Sequence, residues 1–401
     1  MVEGGPIFYS KGLKQSDISI RNKNTILKLI SHNEIMSRSE ISRKTGLSEA
    51  AVSKIVASLI ERRILVEGEF VKGMRGRRAI GVQIDNETFR ILAVHLSRRN
   101  FKIGKYNLSG NCEKEKVVDF NSTIASEMLK RVIKEIKNEL STDSRYIALG
   151  IAAPGPYDMR TGTIMLMTEI TGFYNINIKE VFESEFDLPV IITHDANAGA
   201  LACYDENSES VTSNLAYYLV GQGVGVGIIN EGSLILGNRG VAGEIGHVSI
   251  NHKGDQCKCG NKGCLELYCS SLSIINRAIT FKEQFPESKV FQKSKVTIKN
   301  IIECADNKDP LAIKVIQDAS YYIALGAMNI INTYNPELII IGDELAAASE
   351  YIQAELDNVL KERGLPSIIS TTSIIYAKRE IDYILKGAAL NAIEESIINQ
   401  Y

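Results

Sequence analysis

No apolar run in the 401 residues approaches the ~20 needed to cross a bilayer as a helix. The first stretch, MVEGGPIFYSKGLK, lacks the apolar core of a secretory signal. The sequence therefore reads as cytoplasmic, with no membrane partner. Signs of a disulfide framework are missing too. Cys112, Cys203, Cys269 and Cys304 are scattered, which suits free, packed thiols in a reducing compartment. Net charge is small, −2, but it conceals an asymmetry. Residues 1–80 hold 15 Lys+Arg against 8 Asp+Glu, leaving 31 against 40 for the rest. A basic head on an acidic body is what a nucleic-acid-binding module joined to a small-molecule domain gives. The length exceeds one ordinary core and implies two or three domains.

The densest chemistry lies in GVAGEIGHVSINHKGDQCKCGNKGCLE, Gly240 to Glu266. Cys257, Cys259 and Cys264 form a C-x-C-x4-C cluster with His247 ten residues before it. Three thiolates and one imidazole suit a closed, tetrahedral and hence structural Zn2+. Gly254, Gly260 and Gly263 supply the backbone freedom that folding such a loop onto one ion needs. His252 competes with His247 as fourth ligand. The alternative to a metal site is a set of unrelated residues or a disulfide pair, which clustering in a chain without export signals disfavours. Glu244 and Glu266 add acceptors able to bind sugar hydroxyls, or else they are ordinary surface carboxylates.

Ahead of this stretch, Ile26, Leu27, Leu29 and Ile30 have helical spacing. Ser37-Arg38-Ser39-Glu40 is a capping-box start for a second helix that carries Ile41 and ends near Gly46. Ser48 then caps a third, with Val52, Ile55, Val56, Leu59 and Ile60 as its core stripe. Helix, short glycine turn, helix is the helix-turn-helix arrangement. The candidates for DNA contact are Ser48, Glu49, Ala50, Ser53 and Lys54 at the exposed start of the third helix, with Arg38 from the second. Ile64–Glu67 and Ala79–Val82 read as strands flanking KGMRGRR, a wing whose Arg75, Arg77 and Arg78 suit phosphates or the minor groove. A small helical bundle with a solvated basic loop is the competing reading.

From Phe89 the pattern changes. FRILAVHL and FKIGKYNL read as strands, Ala125–Glu139 as a long helix, and YIALGIAAPGP as a buried strand ending in a turn. Strand patterning returns over Leu215–Ile229, followed by a helix around Tyr321–Tyr334 and the strand in ELIIIGDE. Such alternation indicates α/β architecture.

The run G-x-x-G-E-x-G-H followed by C-x-C-G-x-x-G-C-L-E resembles the signature of the ROK family, which groups sugar-responsive repressors with sugar kinases. GIAAPGPYD, LPVIITHDANAGAL and YNPELIIIG match further segments of that family, while SRSEISRKTGLS and the GRR wing look like its repressor branch, of the xylose and N-acetylglucosamine repressor type. The resemblance implies an α/β fold: a two-lobed, actin-like body with an N-terminal winged helix-turn-helix domain. It implies domains at 1–84, at 85–195 as a first lobe completed by a C-terminal helix over 385–401, and at 196–384 as a second lobe with the zinc loop. It further implies sugar contacts from Asn175, His194, Asp195, Glu244, His247 and Glu266, with His247, Cys257, Cys259 and Cys264 on the zinc.

In the family's kinases the Asp of the DAN segment deprotonates the attacking sugar hydroxyl, and Asp195 occupies that position. His194 stands where an Asn is usual. The D-x-G-x-T type phosphate turn is replaced by His95-Leu96-Ser97-Arg98-Arg99-Asn100, which lacks both the glycines and the carboxylate. Asp343 replaces the second Gly of a third nucleotide-site segment, while Gly221, Gly223, Gly225 and Gly227 are kept. The expectation is therefore a repressor of carbohydrate genes that binds operator DNA and a sugar without phosphorylating it, Asp195 being a vestigial base position. The alternatives are an active ATP-dependent sugar kinase with an appended DNA-binding head, and a disused pocket with another protein as the signal. Winged regulators act as dimers on paired half-sites, so a homodimer or homotetramer is expected.

Overall fold

A computed structural model describes residues 15–33, 35–72, 78–120, 122–167, 169–207, 212–293 and 295–400. It divides into two units. One holds the chain up to Arg90 with Asn107–Ser109 and the segment from Ile393; the other holds Ile91–Tyr106 and Gly110–Ala392.

In the first unit, α1 (Gln15–Ser31) buries Ile26 and Ile30, one turn apart on a single face. It extends well ahead of the spacing that begins at Ile26, and its early turns gave no inward stripe to read since Ile18 and Ile20 are exposed. Strand β1 (Met36–Ser37) leads into α2 (Arg38–Thr45), where Ser37 Oγ accepts the Glu40 N–H at 3.3 Å. The Glu40 carboxylate lies 3.9 Å from Arg43. Gly46 ends the helix at φ 72°, and its N–H reaches the Ser42 carbonyl at 2.9 Å. The turn is pinned by Ser42 Oγ donating to the Leu47 carbonyl at 2.6 Å. Ser48 then caps α3 (Glu49–Glu61), which buries Val52, Val56 and Leu59; Ile55 and Ile60 are half-buried on the flank of the stripe. β2 (Leu65–Lys72) and β3 (Arg78–Ile84) pair antiparallel in a sheet of order β1-β3-β2. Helix-turn-helix and wing strands are thus both present, and the all-helical alternative fails. Arg75 and Arg77 lie outside the described residues. In the same unit Glu394, near the chain's end, accepts from Asn24 Nδ2 at 3.2 Å and faces Lys28 at 3.5 Å.

The second unit opens with β4 (Arg90–Leu96), β5 (Asn100–Tyr106) and β6 (Cys112–Asp119) as an antiparallel meander. β4 is buried at every position, whereas β6, CEKEKVVD, is an exposed edge. The charged pattern of β6 gave no strand signal in the sequence. After α4 (Ala125–Leu140) come β7 (Tyr146–Ala153), a small ribbon of β8 (Tyr157–Asp158) and β9 (Thr163–Ile164), α5 (Ile178–Glu185), and β10 (Val190–His194) parallel to β7. Helix α6 (Asp195–Glu206) leads to a second meander, β11 (Leu215–Val220), β12 (Val224–Asn230) and β13 (Ser233–Leu234). Then follow α7 (Glu266–Cys269), α8 (Ser271–Thr280), α9 (Ile298–Asp306), α10 (Pro310–Tyr334), β14 (Leu338–Gly342), α11 (Ser349–Arg363), α12 (Pro366–Ile369), β15 (Ser373–Tyr376) and α13 (Tyr383–Gln400).

The two five-stranded sheets run β6-β5-β4-β7-β10 and β13-β12-β11-β14-β15. Each therefore has its third, second, first, fourth and fifth strands in that order, the same lobe built twice. Each has its own core. Ile103, Met128, Val132 and Ile151 sit in the first, and Val226, Ile274, Ile323 and Ile341 in the second. α6 joins them. It follows β10 of the first sheet and packs on β11 and β12 of the second. Its sequence, DANAGALACYDE, buries small residues because backbone comes too near for longer ones. A Cβ on Gly227 would overlap the Ala196 carbonyl, and one on Gly387 of α13 would overlap that of Ala198.

Candidate functional site

A cleft in the second unit is lined by residues at the ends of five strands. His95, Ser97 and Arg98 stand at the end of β4, Pro154 and Gly155 after β7, His194 and Asp195 at the end of β10, Gln222 and Gly223 after β11, and Asp343 and Glu344 after β14. Lys102, Glu244, His247 and Glu266 also line it. Of the six residues implied to contact a sugar, His194, Asp195, Glu244, His247 and Glu266 are brought together here. Asn175 closes a 3-10 turn, Phe173–Asn175; its side chain is outside the described residues.

Glu244 is carried by a loop that lies against β12, where Val226 N–H meets the Gly243 carbonyl at 2.9 Å. Gly243, at φ 97°, has no room for a side chain against the Val226 carbonyl. This placement buries the Glu244 carboxyl, and burial, resisted by the nearby His194, pushes it up to about 7. His194 Nε2 lies 3.2 Å from Asp195 Oδ1 and 3.6 Å from Glu244 Oε1. The Nδ1 of the same ring and Glu244 Oε1 are buried without hydrogen-bond partners in the protein. Asp195 is the first residue of α6, and its Oδ1 accepts the Ala196 N–H at 2.6 Å.

Of the two arginines that stand in place of the phosphate turn, Arg98 reaches into the cleft and Arg99 does not line it. Arg98 is also engaged in a way its position in the sequence did not signal. Its Nη2 donates to Glu266 Oε2 at 2.9 Å and its Nη1 to the Gln222 carbonyl. Both side chains of this pair are 8% exposed. Glu266 Oε2 also accepts the Val224 N–H at 3.3 Å. Nearby, Lys102 Nζ meets Asp382 Oδ2 at 2.5 Å. Burial opposes the charge on Lys102, yet Asp382 and Asp343 hold it above its usual range. Asp343 has φ 66° and ψ −157°, a conformation that favours glycine. Burial, with Glu344 beside it, raises its carboxyl to about 7. Asp382 and Glu344 were missed in the sequence; only the fold brings them beside Lys102 and Ser271.

Next to the cleft, the ligand atoms of His247, Cys257, Cys259 and Cys264 all lie within 4.8 Å of one another. Cys257 Sγ is 3.8 Å from His247 Nδ1, and Cys259 Sγ is 3.6 Å from Cys264 Sγ. Tetrahedral thiolates on zinc stand roughly 3.8 Å apart, given bonds of about 2.3 Å, so the four residues fit such an ion. His252 is exposed and outside the cluster, which removes it as the fourth ligand. The loop is shaped by Gly263, at φ 63°, whose place against the Asn251 carbonyl admits no Cβ. Burial lowers the His247 pKa, with Glu266 opposing, and so favours the neutral imidazole a metal requires.

In the first unit, Ser48, Glu49, Ala50, Ser53 and Lys54 are all exposed at the start of α3. Ser48 Oγ is committed to its cap, leaving its backbone as the available contact. Arg38 pairs with Glu67 of the wing at 2.9 Å, and Arg78, exposed, opens β3. No helix among the described residues is long and apolar enough to cross a membrane.

A family model described as winged helix-turn-helix DNA-binding matches residues 21–66. The chain is 28% identical over 384 residues to a xylose repressor of Caldicellulosiruptor bescii, covering 94% of this chain and 96% of that one. It is 27% identical over 382 residues to the DNA-binding transcriptional dual regulator NagC of Escherichia coli, covering 94% and 93%. Among solved structures, a ROK family transcriptional regulator described as a homologue of the E. coli MLC protein covers 95% of this chain and 98% of its own, with a TM-score of 0.79 and 27% identity. A glucokinase from Streptomyces griseus, solved with glucose and AMPPNP, shares the fold of the body at a TM-score of 0.66 and 22% identity, covering 76% of this chain and 99% of its own. A second family model, described as ROK family, matches residues 91–394, and with the double lobe, the lined cleft and the His/Cys cluster already in place, the chain belongs to the ROK family.

Proposed function

We propose that the protein is a sugar-responsive transcriptional repressor of carbohydrate-metabolism genes and not a kinase. The carrying observation is that its likeness to repressors of this type spans 94% of the chain, head included. In this reading residues 1–84 are the DNA-binding domain. Residues 85–195, with 385–401, form the first lobe of the effector body, and 196–384 the second.

The start of α3, with Ser48, Glu49, Ala50, Ser53 and Lys54, enters the major groove of operator DNA. Arg38 and the wing arginines Arg75, Arg77 and Arg78 serve the backbone or minor groove. A sugar sits in the cleft against Asn175, His194, Asp195, Glu244, His247 and Glu266. The buried, unpaired Glu244 Oε1 and His194 Nδ1 support this, because a buried polar atom without a partner is costly until a ligand satisfies it. Zn2+ on His247, Cys257, Cys259 and Cys264 supplies fixed geometry to the loop between Glu244 and Glu266, both of which it would hold at the cleft. A symmetric dimer or tetramer suits operator half-sites.

Asp195 is a hydrogen-bond acceptor here and no longer a base. Where a kinase needs glycine backbone for phosphates, Arg98 crosses the space to Glu266. The test is selection of bound genomic DNA fragments by the purified chain, followed by their release or retention across a sugar panel, with ATP consumption measured in parallel. Sugar-dependent ATP turnover would replace this reading with the kinase. Failure to select any DNA would remove the regulator.

A further inference from the structure

The two permanent cations of the cleft, and part of the backbone N–H groups with which proteins hold anions, are already engaged by carboxylates or carbonyls of the chain itself. The cations are Arg98 and Lys102. Arg98 donates to Glu266 and to the Gln222 carbonyl, and Lys102 is bound to Asp382. A helix N-terminus is an anion seat, and α6 presents one; the Asp195 carboxylate stands at it and accepts its Ala196 N–H. Glycine-rich turns cradle phosphate through backbone N–H groups. In the Gly221–Val224 turn the Val224 N–H goes to Glu266 and the Gly221 N–H to the Gly223 carbonyl, at 2.9 Å.

What the wall leaves unpaired points the other way. Gln222 Oε1 and Glu244 Oε1 are buried acceptors without donors, and His194, 6% exposed, has a bare ring nitrogen. Asp195 and Glu344, with Glu244 and Asp343 in their ionised form, add carboxylates that neither cation hydrogen-bonds. Hydroxyl and ammonium groups supply donors to such a wall. Phosphate and carboxylate groups supply only acceptors and like charge.

Resting on the reading of this cleft as a sugar site, we infer that its ligand is an unphosphorylated sugar, neutral or amino-bearing, and that phosphorylated and acidic sugars are rejected. Glu266 is the residue that sets this selectivity, since by holding Arg98 it removes the one guanidinium an anion would seek. Pulling Arg98 away would leave Glu266 buried without its counter-charge. Gly223 keeps the pair possible, because a Cβ there would come within 2.9 Å of Arg98 Nη2 and 3.2 Å of Glu266 Oε2.

The experiment is calorimetric titration of the full-length chain with xylose, glucose, glucosamine and N-acetylglucosamine, with the 6-phosphates of the last three, and with glucuronate. The expected result is that any sugar that binds loses about 100-fold or more in affinity when phosphorylated or oxidised to the acid. A phosphorylated or acidic member binding as tightly as its parent overturns the inference and leaves the sugar site standing. Silence from the whole panel removes the sugar site and the inference together. In Glu266→Gln the freed Arg98 should shrink the penalty on anions by about tenfold or more. An unchanged ratio in a folded variant, checked by circular dichroism, withdraws Glu266 from that role. Should the variant not fold, the native panel decides the selectivity by itself.

Discussion

Arg239, in the loop ahead of Glu244, donates through Nε to Oδ2 of Asp158 at 2.8 Å, and Asp158 has no surface open to solvent. The guanidinium holds that carboxyl at about 2, with the Arg160 N–H bonding the other oxygen at 2.9 Å. A carboxyl depressed in the folded state contributes stability at pH values above its unfolded value of about 4, and that contribution is lost as pH falls through the folded one. Thermal midpoints measured from pH 5 down to 2 should therefore fall more steeply for the native chain than for Asp158→Asn. Parallel curves would detach the pair from acid stability.

Metal analysis of the purified chain should give about one zinc per chain. Cys257→Ser or Cys264→Ser should abolish it and lower the melting temperature of the body, as should a strong chelator, because metal binding to such a cluster is folding free energy. Full metal content in either variant would dismiss the cluster as a site.

Lys54 and Arg78 are exposed at the two parts of the head offered to DNA. Replacing either with Ala should weaken binding across sequences and lower the slope of log affinity against log salt by about 0.9 for each phosphate that the side chain neutralises. A slope left as it was would take that residue out of the interface.

Asp195→Asn keeps the shape of the side chain and removes its charge. Sugar affinity should fall by roughly 1–3 kcal/mol, about 5- to 150-fold, and the sugar-dependent change in DNA binding should shrink with it. Operator affinity without sugar should stay where it was, since α3 and the wing are untouched. Equal loss with and without sugar would mean that the substitution damages folding.

The head could be read from its residues because its signals are local: two serine caps, Gly46, and the one-face spacing of Val52, Val56 and Leu59. The His/Cys cluster was legible for the same reason, with its three cysteines within eight residues of one another; spacing left His252 open beside His247, and the fold brings His247 to the thiols. β6 was invisible because an edge strand with two wet faces shows no alternation. The bond from Arg98 to Glu266 spans 168 positions, and no spacing rule reaches that far. The sequence marked Arg98 as out of place in a phosphate turn, but its partner is set by how the two lobes face each other.

His95, Gly155, Asp195, Gln222 and Asp343 all stand at or just beyond the ends of strands whose interiors are packed into the two sheets. Ile151 and Ile341, by contrast, lie inside strands and belong to the two cores. Exchanges at these strand ends change the chemistry of the cleft at a local cost, the strained backbone of Asp343 at φ 66° and the desolvated pair of Arg98 with Glu266, while the pairing of the two sheets behind them is kept.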